Sequence, residues 1–322
     1  MPFLEDNLAY IVLDVPTGDY FLVDPADFDA VEEVKQAYGV TGAPQAVVTT
    51  HKHWDHAGHN QRYVDEHPGI QIIHGRNEPV YAGTVGLADG ETLPNGLLGG
   101  KVELKAIETP CHTAAHTMFA AKLSSAADDA VNQMIFTGDC LFEGGVGMFF
   151  EGVPAQMTTI LSRMLMEYDS DDARQRCAMF FGHDYGFKNY VWAADHAFGD
   201  NKLSDDPKAE VYAHKSRVVA RKDVLLAKRQ AGFSNTGTLL SEEMTMNLFM
   251  VAHREAMEKT TWEEQTFYNY IRDGFNSPNR DAPIDEGMTP ELMATAAISA
   301  LREHRTAADA PCNAISSQLR TE

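Results

Sequence analysis

The chain has 322 residues, 44% hydrophobic and 23% charged, a composition that excludes disorder and leaves ample length for a buried core. Its 47 Asp and Glu against 26 Lys and Arg give a formal charge of −21, which argues against nucleic acid or an anionic membrane as partner, because both are held by cationic side chains. No run approaches the roughly 18 apolar residues of a spanning helix, and Cys111, Cys140, Cys177 and Cys312 show no paired spacing that would suggest a disulfide scaffold.

The first residues, Met1-Pro2-Phe3-Leu4-Glu5-Asp6, lack the basic start and apolar core of a signal peptide, so a cytoplasmic protein is expected. Tyr10 to Val15 and Tyr20 to Val23 read as strands around a Pro16-Thr17-Gly18-Asp19 turn. Asp29 to Tyr38 carries Val31, Val34, Ala37 and Tyr38 at helical spacing and stops at Gly39. Four short apolar runs follow as strands: Gln45 to Thr49, Val102 to Ile107, Met134 to Thr137 and Cys177 to Phe181. Gly75 to Gly100 reads as connections around one helix, Met157 to Met166 as a core-facing helix and Asp169 to Asp172 as a loop. Beyond these, 208–230, 241–260 and 290–305 look helical, no convincing strand is visible, and Asn276 to Gly287 reads as a loop. Residues 1–187 hold 10 basic and 27 acidic residues, and 188–322 hold 16 and 20. The shift places a boundary near 187, between an α/β domain and a helical one.

The chemistry concentrates in Thr50-His51-Lys52-His53-Trp54-Asp55-His56, directly after an apolar strand. In extended chain His51 and His53 project the same way and can take one ion, while Asp55 and His56 on the next turn can face a second. His112, Asp139 and His183 each sit just past the carboxyl end of another strand, where side chains from distant parts of an α/β sheet converge. Seven ligands serve two ions: His51, His53 and His112 for one, Asp55, His56 and His183 for the other, with Asp139 spanning both. Imidazole and carboxylate at open sites favour zinc, with iron or manganese as the other choices. Two ions about 3.5–4 Å apart hold a bridging water whose pKa falls toward neutrality, giving a hydroxide nucleophile without Ser or Cys, and the natural reaction is hydrolysis of an ester or thioester.

Other candidates carry blander explanations. His67, His74, His196, His214 and His253 read as surface or structural, and His59 and His116 sit near the site without an assigned role. Cys111 and Cys140 flank ligands but read as small packing residues, and the basic stretch Lys208 to Arg229 reads as a solvated helix face.

The His-x-His-x-Asp-His run with its later His, Asp and His resembles the metallo-β-lactamase superfamily. Within it, Asp6-Asn7, Val23-Asp24-Pro25, Thr109-Pro110-Cys111-His112-Thr113, Phe136-Thr137-Gly138-Asp139, Gly145-Val146-Gly147, Gly182-His183-Asp184-Tyr185, Ser241-Glu242-Glu243 and Asn247-Leu248-Phe249-Met250 are similar to glyoxalase II, the hydroxyacylglutathione hydrolase family. The resemblance implies an αββα sandwich over 1–187, followed by a smaller all-helical substrate domain over 188–322. It further implies two divalent metal ions, and hydrolysis of S-D-lactoylglutathione to D-lactate and free thiol by a monomer. Met148, Phe149, Phe150, Tyr185, Arg302 and Arg305 become the candidate substrate contacts. The pattern departs where the family commonly has a Lys and a Tyr and this chain has Met148 and Phe150. On the last helix a gap-free match sets Leu301 and His304 at the family's basic positions, and a shift of register brings in Arg302 or Arg305. Losing such anchors points to a less anionic thiol carrier. The family's first strand before Asp6-Asn7 is reduced to the stub Met1 to Glu5. The rival expectations are a mononuclear iron persulfide dioxygenase, disfavoured by the long helical part, a nuclease, disfavoured by charge, and a non-catalytic module, disfavoured because no ligand is missing.

Overall fold

The computed structural model describes residues 1–127, 130–197, 209–258 and 289–319. Two residues of the stub, β1 (Pro2–Phe3), pair antiparallel with β2 (Asn7–Leu8). The first sheet then runs β3 (Tyr10–Leu13), β4 (Tyr20–Val23), β5 (Ala46–Thr49), β6 (Gln71–Gly75) and β7 (Val85–Leu87) in spatial order. Only the β3–β4 pair is antiparallel. Between its strands lie α1 (Phe28–Tyr38), α2 (Trp54–Ala57) and α3 (Asn60–Glu66). Helix α1 starts where the Asp27 carboxylate accepts the Asp29 and Ala30 N–H groups, and it ends on Gly39 at φ 68.

The second sheet is built from β8 (Val102–Glu108), β9 (Thr117–Leu123), β10 (Gln133–Gly138) and β13 (Cys177–Phe181). Between the last two come the hairpin β11 (Leu141–Phe142) and β12 (Gly145–Val146), then α4 (Pro154–Glu167) and α5 (Asp171–Gln175). The rest of the described chain is α6 (Gly186–Trp192), a π-turn at Ala193–Ala197, α7 (Ala209–Gln230), β14 (Gly237–Leu239), α8 (Leu240–Met246), α9 (Leu248–Glu258) and α10 (Pro290–Leu319).

Strand alternation decides the layers. In β4, Phe21 and Val23 face the second sheet while Tyr20 and Leu22 face α1 and α3. In β9, Phe119 and Ala121 meet the first sheet, while Met118 and Ala120 meet α4 and the later helices. The result is helix, sheet, sheet and helix in four layers, the αββα arrangement, with the helical part joined to one outer face. Its core is continuous with that face: Met157, Ile160 and Met164 of α4 pack with Phe249, Ala294 and Leu301.

Several expectations change. Gly75 to Gly100 holds the strand β7 and turns, with no helix. Strands β6 and β9 escaped notice because one contains His74 and the other is Ala- and Met-rich. Of the expected loop 169–172, the first two residues stay outside helix and the last two open α5, where Ser170 accepts the Ala173 N–H. The single helix over 241–260 is two, because Asn247 leaves helical geometry at ψ 116 and its Oδ1 accepts the Phe249 N–H. The later part is not all-helical: β14 pairs antiparallel with β13 and extends the second sheet. Position 187 falls inside α6. Asn276 to Gly287 lies outside the described residues. No helix among the described residues is long and apolar enough to cross a membrane.

His253 of α9 is buried, with its Nε2 3.2 Å from the Ser162 hydroxyl of α4. Burial pulls its imidazole down from 6.5 to about 4. Between those values the unfolded chain binds a proton that the folded chain refuses, so this contribution to stability is present at neutral pH and lost as pH falls through the window. From pH 7 to pH 5 the loss is about 2 kcal/mol. In urea denaturation at the two pH values, His253→Gln should lower the acid-induced loss of stability by that amount relative to wild type.

Candidate metal centre

The seven candidate ligands lie at the carboxyl ends of four strands. Thr50 to His53 leave β5, and α2 follows at once and carries Asp55 and His56. His112, Asp139 and His183 follow β8, β10 and β13 of the opposite sheet. The two sheets therefore open together at one rim, and all seven side chains meet there. Their donor atoms form three overlapping groups: His51, His53 and His112; His51, His56 and Asp139; Asp55, His56 and His183.

Four of the five imidazoles are turned by a bond at the far side. His56 Nδ1 donates to Asp24 Oδ2 at 3.0 Å, and Asp24 also accepts the Thr50 N–H at 2.8 Å and hydroxyl at 2.7 Å. With its proton committed to Asp24, the Thr50 hydroxyl accepts from His51 Nδ1 at 3.0 Å. His112 Nδ1 donates to the Met148 carbonyl, and His183 Nδ1 to Asp6 Oδ1, both at 3.0 Å. Asn7 donates to Asp55 Oδ2 at 2.9 Å. These outer bonds fix the tautomers, so the Nε2 lone pairs of His51, His56, His112 and His183 point inward.

The inward atoms are a poor hydrogen-bonding set. His51 Nε2 and His112 Nε2 both lie 3.1 Å from His53 Nδ1, which can give a proton to only one of them. His56 Nε2 and Asp139 Oδ1 are buried, 3.3 Å apart, and have no hydrogen-bond partner. Asp139 Oδ2 faces His112 Nε2 at 3.4 Å and His183 Nε2 at 3.2 Å, so its carboxylate looks toward both groups. Converging lone pairs and orphaned polar atoms at this burial fit cations, and the nitrogen and oxygen donors are those of a divalent-metal centre.

The electrostatics agree. Burial drives the His51 and His112 imidazoles down, which keeps them in the neutral, ligating form. Burial opposes charge on His183 too, but Asp139 and Asp6 outweigh it and raise this imidazole to about 10, so positive charge is favoured there. Burial would raise Asp139, yet His56 and His183 hold its carboxyl well below the usual range.

The substrate candidates divide. Tyr185 stacks on His183 with centroids 4.8 Å apart and planes at 8°. Phe150, 63% exposed, lies 5.1 Å from the His112 ring and 6.0 Å from that of His53. Met148 offers its carbonyl to His112 and its sulfur to the Thr306 hydroxyl of α10, while Phe149 packs into the helical core. Arg302 donates to the Val146 carbonyl at 2.9 Å, beside the cluster. Arg305 lies over the Trp192 ring. At the gap-free positions, Leu301 is a core residue and His304 accepts the Trp192 indole N–H.

Several contributors went unassigned in the sequence. His116 accepts the Asp139 N–H at 3.2 Å and bonds Thr109 on its other side, so it holds the spanning carboxylate from behind. His59 instead accepts the Phe28 N–H and serves the start of α1. Glu78 ties the two ligand loops through the Lys52 N–H and the Thr113 hydroxyl, both at 2.9 Å. The only local signal was position: His116 four residues past His112, and Asp24 in a Val-Asp-Pro turn. Cys111 and Cys140 are buried, and burial pushes the Cys111 thiol up to about 12, so neither is a nucleophile. Asp24→Asn keeps the shape but removes one acceptor from His56 or Thr50. It should weaken metal affinity about 10- to 100-fold, read by competition with a fluorescent chelator, with circular dichroism unchanged.

No family model matches the chain. Among solved structures it resembles ETHE1 of Myxococcus xanthus at 18% identity and a TM-score of 0.47, over 92% of this chain and 93% of that one. It is 29% identical over 262 residues to a hydroxyacylglutathione hydrolase-like protein of Gallus gallus, covering 81% of this chain and 82% of that protein. It is 31% identical over 260 residues to a cytoplasmic hydroxyacylglutathione hydrolase of Arabidopsis thaliana, covering 80% of this chain and 90% of the plant protein. Identity at that level, sustained over nearly the whole plant protein, shows that this chain belongs to the hydroxyacylglutathione hydrolase family.

Proposed function

We propose that the chain is a thioester hydrolase of the glyoxalase II type, acting on S-D-lactoylglutathione or a related thiol conjugate. Water adds across the acyl C–S bond, and D-lactate and the free thiol leave. The observation that carries this reading is the set of three overlapping donor groups, with Asp139 facing imidazoles on both sides, on the rim of a chain whose relatives are named for this hydrolysis.

His51, His53 and His112 are assigned to one divalent ion, Asp55, His56 and His183 to the other, and Asp139 to both. Zinc suits this donor set best, with iron or manganese as the other occupants. The chemistry such ions supply is Lewis acidity, which activates water at neutral pH and polarises the thioester carbonyl. The chain's own residues orient and shield. Asp6, Asn7, Asp24, Thr50 and His116 hold the ligands in register. Tyr185, Met148 and Phe150 are assigned to the mouth, with Phe149 backing them from the helical core, and Arg302 is the cation assigned to a substrate carboxylate, with Arg305 further out.

The catalytic unit is assigned to residues 1–187 and the substrate unit to 188–322. All seven ligands come from one chain, which supports a monomer, and the charge of −21 supports a small-molecule partner over nucleic acid. The cytoplasmic plant relative supports a cytoplasmic location.

The test is steady-state hydrolysis of lactoyl thioesters of glutathione and of neutral thiols by the metal-loaded protein. Hydrolysis that chelation abolishes is expected, with kcat/KM for the glutathione thioester falling about tenfold or more in Arg302→Ala, the worth of a charge-assisted bond. Oxygen consumption with a single iron and no thioester hydrolysis would overturn the assignment.

A further inference from the structure

Behind the metal centre lies a second polar cluster that the proposed chemistry does not use. Glu143, in the turn between β11 and β12, and Glu243 of α8 are both essentially inaccessible to water, at 1% and 0% exposure. Arg221 of α7 binds Glu143 Oε1 through Nε and Nη2, both at 2.6 Å. Glu243 Oε2 accepts the Gly144 N–H at 2.9 Å and the Asn247 side-chain amide at 3.0 Å. That amide also reaches the carbonyls of Phe142 at 3.4 Å and Gly145 at 3.1 Å, and Asn189 donates to the Glu143 carbonyl at 2.8 Å. Four consecutive residues of one short hairpin are thus held by α6, α7 and α8.

The hairpin's other end touches the ligands. Gly147 donates to the Cys140 carbonyl, and a Cβ at Gly147 would overlap the Asp139 carbonyl oxygen. The next residue, Met148, gives the carbonyl that fixes His112. Burial raises both carboxyls, and Glu243 more than Glu143, because Arg221 sits directly on Glu143. Charge on this pair is disfavoured except where Arg221 offsets it, and the surrounding hydrogen bonds hold both carboxyls in place.

We propose that Arg221, Glu243 and Asn247 are positioning residues for the metal centre, setting Asp139 and His112 through the 141–148 hairpin. The inference rests on the metal reading of the site. It assigns to the helical part a task besides contacting substrate, namely holding the ligand geometry from behind.

The experiment uses the full chain reconstituted with cobalt(II), whose visible absorption reports ligand geometry, and measures cobalt stoichiometry, affinity, kcat and KM. In Arg221→Met, cobalt affinity should fall about 10- to 100-fold, the visible bands should shift, and kcat should fall with little change in KM. Arg221→Lys, which keeps the charge but loses the fork, should recover part of each effect. Asn247→Ser leaves the ion pair intact and should shift the bands in the same direction, which covers the case of an Arg221→Met chain that does not fold. A wild type that loads two cobalt ions, with variants that differ only in melting temperature, overturns this inference alone. A wild type that loads none overturns the metal reading and the inference with it.

Discussion

A buried carboxylate between two groups of histidines is the constraint on which the rest of this structure depends. Asp139 is 6% exposed, and its two oxygens face different imidazoles. Removing such a charge from water is tolerable only if cations or fixed dipoles surround it. The surroundings are therefore exacting. Position 138 must be glycine, because its φ is 47 and a Cβ there would lie 2.5 Å from the Thr50 hydroxyl and 2.8 Å from His116 Nε2. His116 can accept the Asp139 N–H only because its other nitrogen is spent on Thr109. The backbone next to the carboxylate is fixed as firmly as the carboxylate itself.

Two sheets are needed to satisfy that arrangement. One sheet brings the dense histidine run, the other brings His112, Asp139 and His183, and neither set closes without its opposite. The core between the sheets, with Phe21, Val48, Phe119 and Phe136, is what holds the two rims in register. A shift of either sheet by one residue would turn alternate side chains to the wrong face. The Asp24 carboxylate strengthens the same point: from the end of β4 it holds Thr50 and His56, so the strand order itself orients the ligands.

The candidate ligands were legible in the sequence because coordination demands particular residue types, and those types stood immediately after apolar strand-like runs. The strands were legible where they were β-branched or aromatic, as in Tyr20 to Val23. They were not where Ala, Met and Lys fill the strand, as in Thr117 to Leu123, whose pairing with both neighbours rather than its own propensity makes it a strand. The layer behind the ligands was legible only by position, as for His116 and Asp24. The bonds of Glu78 to the Lys52 N–H and the Thr113 hydroxyl span 26 and 35 residues, and nothing local marks them. Asn247 is similar: it splits one helix into two locally, while its amide donates to the Phe142 and Gly145 carbonyls about 100 residues upstream, which nothing nearby in the chain announces.

The same separation between local and convergent information bears on the thiol carrier. Composition alone made an anionic substrate awkward, because the first 187 residues hold 27 acids against 10 bases. The structure sharpens that difficulty. Lys52, the cation within the histidine run, is tied to Glu151 at 2.7 Å, and Lys188, beside Tyr185, is tied to Asp6 at 3.1 Å. Arg302 donates to the Val146 carbonyl at 2.9 Å, on the hairpin whose next residues reach Asp139 and His112. Phe150 and Trp54, at 63% and 70% exposure, add apolar surface on the ligand loops, where a charged group gains nothing. Two of the cations nearest the candidate ligands are thus already matched to acids, and a charged thiol would have to compete with Glu151 and Asp6 for them.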